Sequence, residues 1–370
     1  MKALEELFSS SQYNLNNGKK ISLLSEELID LTGLHYKHCT VYKRILDNLG
    51  YKVPANTEVL SELPFLPIEL FKTADIKSIP ANKVLKILTS SGTTGRPVSR
   101  IAIDAETSLL QVKALASIIT SYIGSRRLPM IIIDTEKTIR NKSSLSARGA
   151  GLVGLSNFGR DHFFALDENM NLKIKELKEY VRKHKNERIL IFGFTFMVWE
   201  YLLNSVKNTG QEIDLGLGIL IHGGGWKKLA ERSVTDKVFK YELSRAFGLK
   251  NIYNFYGMVE QVGSIYMECE HGYLHTPNFA EVLIRDYNDW SVLPYGRAGI
   301  IQTLSVLPRS YPGHSLLTDD IGVVAGADNC KCGRKGTYFT VTGRVPKAEL
   351  RGCSDTYAEN VMNAEKRAAV

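Results

Sequence analysis

At 370 residues, with 44% hydrophobic and 23% charged residues, the chain has the composition of a globular protein with room for one large core and a smaller lobe. The formal net charge of +8 is dispersed, with modest clusters at 178–185 and 347–351 and no basic stripe interleaved with aromatics; this argues against nucleic acid and suits anionic small molecules or an acidic carrier protein. No apolar run nears the ~20 residues that span a bilayer, and residues 1–10 lack an apolar signal core, so a cytoplasmic location is expected.

Residues 1–80 read as a mainly helical region. Ile21, Leu24, Leu28 and Leu31 recur at helical spacing, and a second helix is expected over 34–49 with Gly50 as its stop. Leu63-Pro64-Phe65-Leu66-Pro67 reads as an extended segment pinned to a core. A short apolar strand over 84–88 then leads into Thr89-Ser90-Ser91-Gly92-Thr93-Thr94-Gly95-Arg96-Pro97. The hydroxyls and backbone N–H groups of such a loop can wrap phosphate oxygens, and its two glycines allow close approach. Arg96 adds a fixed positive charge, and the spacing is not that of a Walker A loop.

Residues 101–123 begin extended and turn helical, 129–134 form a buried strand, and the Ser/Gly/Ala-rich stretch 143–159 reads as an irregular loop. A charged amphipathic helix is expected over 171–185 and a buried strand over 188–194, after which Thr195 is placed to cap a helix over 196–205. A third strand, 215–222, runs into Gly223-Gly224-Gly225-Trp226. This alternation argues for a parallel or mixed α/β sheet, whose ligands bind beyond the carboxyl ends of the strands, where a triple glycine lets a flat ring approach the backbone. The aromatic strand 252–257 precedes Met258-Val259-Glu260, and strands over 281–286, 299–306 and 315–324 suggest a second, more antiparallel sheet.

The five cysteines are an odd, sparse set that reads as metal ligands, reactive thiols or core residues, not as a disulfide framework. Cys330-Lys331-Cys332 together with Cys269 and His275 can supply four ligands for tetrahedral Zn²⁺, with His271 as a substitute for His275.

The 89–97 string closely resembles the phosphate loop of adenylate-forming enzymes, which activate a carboxylate as acyl-AMP. Tyr256-Gly257-Met258-Val259-Glu260 resembles their Tyr-Gly-x-x-Glu motif. Thr318-Asp319-Asp320 resembles their Thr-Gly-Asp segment with Asp319 in the glycine's place, and Thr342-Gly343-Arg344 resembles the Gly-Arg pair that starts their hinge. The resemblance implies an α/β fold: an adenylate-forming (ANL) N-terminal core with mixed β-sheets flanked by helices, a smaller β-rich subdomain, and no full C-terminal domain. It implies ATP phosphates on Thr89, Ser90, Ser91, Gly92, Thr93, Thr94 and Gly95, and a nucleotide beside Gly223, Gly224, Gly225 and Gly257. Tyr256 would stack on adenine, Glu260 would hold Mg²⁺, Asp320 would take the ribose hydroxyls, and Arg344 would reach ribose or phosphate. Some aryl-CoA ligases of this superfamily look similar around the Cys/His set and hold a structural zinc.

Tyr36-Lys37-His38-Cys39, the Phe-Leu-Pro segment, 223–227 and the residues after Arg344 look most like the LuxE-type acyl-protein synthetases, kin of the phenylacetate-CoA ligases. That resemblance implies activation of a long-chain fatty acid, transfer to Cys353 as a thioester, and delivery to an acyl-CoA-reductase-type partner or acyl carrier protein. Only 26 residues follow Arg344, too few for the C-terminal domain on which CoA ligases carry a catalytic Lys. The expected organisation is a helical region 1–80, a core 81–344 divided at 262/263, and a tail 345–370 carrying Cys353. The alternatives are an acyl- or aryl-CoA or carrier-protein ligase using an external thiol, and a degenerate nucleotide-binding scaffold.

Overall fold

The computed structural model describes residues 2–52, 59–90, 97–140, 147–226 and 233–345. In chain order the strands are β1 (Leu66–Pro67), β2 (Lys86–Thr89), β3 (Arg100–Ile103), β4 (Leu128–Ile132), β5 (Gly159–Phe164), β6 (Ile189–Phe194), β7 (Gly218–Gly223), β8 (Asn251–Tyr256), β9 (Tyr266–Glu268), β10 (Leu274–His275), β11 (Ala280–Arg285), β12 (Ala298–Ser305), β13 (Ser315–Ala327) and β14 (Thr337–Arg344). The chain divides into two compact units: Met1–Ile118 with Met258–Val370, and Ile119–Gly257. Among the described residues no helix is long and apolar enough to cross a membrane.

The second unit is built on β4 to β8, all parallel, in the order β5-β4-β6-β7-β8. These strands are nearly continuous apolar runs because helices cover a parallel sheet on its faces. Ile131, Ile191, Leu220, Leu202 and Phe239 belong to one buried cluster. The chain leaves β4 toward β5 on one side and then crosses to β6 on the other. The order therefore reverses between β4 and β6, and in open α/β sheets ligands bind at such a reversal, beyond the carboxyl ends.

In the first unit, β11, β12, β13, β14, β10 and β9 pair in that order, all antiparallel. The Phe-Leu-Pro segment supplies β1, which lies parallel to β13 with Leu66 opposite Leu316. The helix Asn17–His38 buries Leu24, Leu28 and Leu31 together with polar Lys20, Thr32 and His35. Each of these polar groups is matched: Lys20 Nζ lies 3.0 Å from a Glu281 carboxylate oxygen, Thr32 Oγ1 is 3.0 Å from His314 Nε2, and His35 Nε2 is 3.0 Å from the Pro308 carbonyl. The Asp328 carboxylate accepts the Asn17 N–H at 2.9 Å, satisfying an amide that the helix start leaves open.

Three local expectations change. The first long helix runs through Gly33 to His38 and breaks at Cys39, not near residue 32, because its far end still buries His35 against the loop at Pro308. Within 143–159, Ala147–Ser156 is a helix and not a loop; its small residues suit close packing, and Leu152 and Leu155 are buried. Thr195 does not cap: Phe194 is the capping residue of Thr195–Met197, and the Thr195 hydroxyl turns instead toward β7. The chain continues as a π-helix, Val198–Asn204.

Candidate active site

The candidate residues fall in both units. Ser91, Gly92, Thr93, Thr94, Gly95 and Cys353 lie outside the described residues.

In the first unit β2 and β3 flank the Ser/Thr-rich string 89–97. Thr89 pairs with Arg100 across β2 and β3. Ser90 N–H donates to the Ser99 carbonyl at 3.2 Å, and Ser99 N–H donates to Ser90 Oγ at 3.0 Å, closing the loop's neck. Glu260 sits in the turn Val259–Gln261 and is buried, with its own carbonyl accepting from the Tyr311 hydroxyl at 2.9 Å. Burial pushes the Glu260 carboxyl above the usual carboxylate range; Ser99 and the Lys72 charge pull the other way. A carboxylate held in this state gains from a cation brought beside it.

Asp320 lies opposite Arg344 in the β13–β14 register, and its carboxylate is 3.3 Å from Arg344 Nε. Its neighbour Asp319 stands in the place of the motif's glycine. Burial, then the charge and hydrogen bond of Glu69, push the Asp319 carboxyl up to about 6, while Arg344 and Lys72 partly offset them. The pairing of β1 with β13 is what brings this about, because Glu69 and Lys72 follow β1 directly and form an ion pair at 2.5 Å. The Asp319 carbonyl accepts the Val345 N–H at 2.9 Å.

In the second unit, Phe194, Gly223 and Tyr256 end three adjacent parallel strands. A Cβ on Gly223 would stand 2.5 Å from the Phe255 ring. Gly224 has φ +75° and lies against Phe194, a conformation that excludes most side chains. Tyr256 is half-buried and Gly257 exposed. Just beyond β4, the buried Asp134 carboxylate accepts Nε and a terminal nitrogen of Arg148, each at 2.6 Å, and Thr138 Oγ1 at 2.7 Å. This bidentate pair ties the helix Ala147–Ser156 to the carboxyl end of β4. Glycine and alanine content hid that helix in the sequence, and neither Asp134 nor Arg148 belongs to a local motif.

A third cluster, in the first unit, brings together Cys269, His275, Cys330 and Cys332, whose ligand atoms all lie within 4.8 Å of one another. Cys269 and Cys330 sulfurs are 3.9 Å apart, and Cys332 Sγ is 3.3 Å from His275 Nε2. Metal–sulfur bonds of about 2.3 Å in a tetrahedron give edges of about 3.8 Å, so the donor set fits Zn²⁺. His271 lends its backbone N–H to Cys269 Sγ at 3.4 Å. Gly272 and Gly333 take φ near +80° and close the two turns on the carbonyls of Cys269 and Cys330. Burial holds His275 neutral, down to about 4, and pushes the Cys330 thiol up to about 12.

A parallel sheet with a glycine turn beyond its carboxyl ends, in a chain that also carries the Ser/Thr-rich string 89–97 and a buried Glu260, is the arrangement expected of the adenylate-forming class. The open conformation of 2-hydroxyisobutyryl-CoA ligase in complex with 2-HIB-AMP and CoA aligns at a TM-score of 0.69, with 15% identity, over 89% of this chain and 76% of that one. The same ligase in its thioesterification state aligns at 0.67, with 17% identity, over 88% and 68%. The fold is therefore that of the adenylate-forming ligases. The profile of the family "Acyl-protein synthetase, LuxE" matches residues 2–362, and the chain belongs to that family of ligases. It is 24% identical to the long-chain-fatty-acid–luciferin-component ligase of Vibrio harveyi over 86% of this chain and 83% of the relative, and 24% identical to that of Aliivibrio fischeri over 78% and 76%.

The Asp319 carboxyl yields a signed prediction. Its folded-state pKa is raised from 3.8 to about 6, so its favourable protonated state is fully present below about 4 and is lost as pH rises through about 6. Asp319→Asn is expected to raise the unfolding temperature by about 2–4 °C at pH 8 and to change it little at pH 4. Differential scanning calorimetry at both pH values checks this; equal shifts at the two would contradict it.

Proposed function

We propose that the protein uses ATP and Mg²⁺ to activate a long-chain fatty acid as acyl-AMP, then takes the acyl group onto Cys353 as a thioester for delivery to an acyl reductase or carrier protein. In the first step a carboxylate oxygen attacks the α-phosphorus and pyrophosphate leaves. In the second, the Cys353 thiolate attacks the acyl carbonyl, a C–S bond forms, and the C–O bond to AMP breaks. The observation that carries the first step is Glu260, a buried carboxyl with a raised pKa in the same unit as the closed Ser90–Ser99 neck of the phosphate loop. Glu260 would hold Mg²⁺, whose chemistry is to neutralise charge on the phosphates. Thr89, Ser90, Ser91, Gly92, Thr93, Thr94 and Gly95 would cradle those phosphates, Asp320 the ribose hydroxyls, and Arg344 the ribose or phosphate. Gly223, Gly224, Gly225, Tyr256 and Gly257 would flank the base. Order along the chain assigns these sets to one half-reaction. The fatty substrate is supported by the likeness to the long-chain-fatty-acid–luciferin-component ligases of Vibrio harveyi and Aliivibrio fischeri.

Carboxylate-dependent ATP–pyrophosphate exchange tests the first step. Wild-type protein is expected to exchange with a fatty acid of eight or more carbons, and Glu260→Gln or Asp320→Asn to lose about 100-fold or more. Exchange that is absent with every fatty acid tried, or unaffected by both substitutions, would contradict the reading.

Cys269, His275, Cys330 and Cys332 would hold one structural Zn²⁺, joining the turn between β9 and β10 to the turn between β13 and β14. Purified protein is expected to carry about one zinc per chain by plasma mass spectrometry. Cys330→Ser should lose the metal and lower the unfolding temperature. Metal-free protein that is equally stable before and after zinc is added would contradict the assignment.

A further inference from the structure

The hydroxyl that fails to cap its helix has another use. Thr195 Oγ1 lies 3.0 Å from His222 Nδ1 and 3.2 Å from the Gly223 carbonyl oxygen. All three groups are in the second unit, where β6 and β7 place Phe194 opposite Gly223 and Gly193 opposite His222. A threonine hydroxyl has one proton, so it cannot donate to both neighbours. One arrangement makes both contacts hydrogen bonds: His222 Nδ1–H donates to Thr195 Oγ1, and Thr195 O–H donates to the Gly223 carbonyl; it leaves the proton off the buried Nε2, which has no hydrogen-bond partner among the described residues. The imidazole is 1% exposed and lies 4.5 Å from the Phe239 ring centre to centre. Burial, with a smaller push from the Lys240 charge, lowers its pKa to about 3, so the ring is neutral at working pH.

The carbonyl held by this chain of bonds belongs to the peptide that opens the glycine turn. On one side Gly223 is pressed by the Phe255 ring, and at the next residue the backbone reaches φ +75° against Phe194. A turn without side chains has wide conformational freedom, and freedom left in a binding loop weakens binding. We propose that His222 and Thr195 are positioning residues that lock the Gly223 carbonyl and so preset the glycine turn for the nucleotide. Neither residue touches the ligand in this scheme; both act through the backbone. The role rests on the adenylation reading above, whereas the hydrogen-bond relay itself does not.

Two measurements separate these levels. On ¹⁵N-histidine-labelled wild-type protein, long-range ¹H–¹⁵N correlation identifies the His222 tautomer, its signal assigned by its loss in His222→Asn. A protonated Nδ1 with a bare Nε2 is expected; a protonated Nε2 with a bare Nδ1 overturns the relay. Steady-state pyrophosphate release with ATP, a fatty acid and hydroxylamine as the acyl acceptor then tests positioning. Thr195→Val is expected to raise the KM for ATP about tenfold, the order of one lost hydrogen bond, with kcat within about twofold of wild type. Thr195→Ser, which restores the hydroxyl, should return KM to within about twofold of wild type. A wild-type KM in Thr195→Val, or failure of Thr195→Ser to rescue it, overturns the positioning role even if both variants are less stable. Wild-type protein that releases no pyrophosphate refutes the adenylation reading and the positioning role with it, while the tautomer still decides the relay.

Discussion

Charges taken out of water must be matched, and where this protein matches them it fastens its elements together. Lys20 reaches from the N-terminal helix Asn17–His38 to Glu281 on β11, with Thr276 Oγ1 only 2.6 Å from its ammonium. Arg285, also on β11, donates to Gln302 on β12 and to the carbonyls of Trp290 and Ser61. In the other unit Asp134 and Arg148 do the same for the end of β4. Losing one partner of such a pair leaves a buried charge uncompensated, at a cost of about 3–5 kcal/mol, so these contacts constrain which arrangements the chain can adopt.

The compensation is incomplete at Glu260 and at Asp319, where burial and the nearby Glu69 charge raise the pKa of these two carboxyls. Perturbed carboxyls of this kind concentrate where a protein prepares to receive an ion or a ligand. Glu260 also receives backbone support: the Tyr311 hydroxyl holds its carbonyl, and the next residue, Gln261, donates its amide to the carbonyls of Thr303 and Gly313. The backbone that carries the Glu260 carboxyl is thus fixed from both sides.

What could be read from the sequence divides along the same line. The Ser/Thr-rich string 89–97, Tyr256 to Glu260 and the pairs Cys269/His275 and Cys330/Cys332 stood out in the sequence because distinctive residue types lie close together in each. The long parallel strands were legible because burial on both faces leaves apolar runs. Contacts between distant segments were not. Asp319 owes its raised pKa first to burial and then to Glu69, which β1 brings alongside from 250 residues away in sequence (319 − 69). Thr195 looked like a helix cap because Thr before an apolar run usually is one; the carbonyl of Gly223, 28 residues on, offered its hydroxyl a different partner. The helix Ala147–Ser156 was hidden by small residues that favour loops in isolation, and it is tied down by Asp134, just beyond β4.

The central claim is that one chain both activates the acid and accepts the acyl group. Intact-mass spectrometry after incubation with Mg²⁺, ATP and a fatty acid addresses it directly. The account predicts a mass increase equal to one acyl group, lost on treatment with hydroxylamine and absent from Cys353→Ser. An unmodified mass, with pyrophosphate still released, would contradict self-acylation and place the acceptor thiol on another molecule.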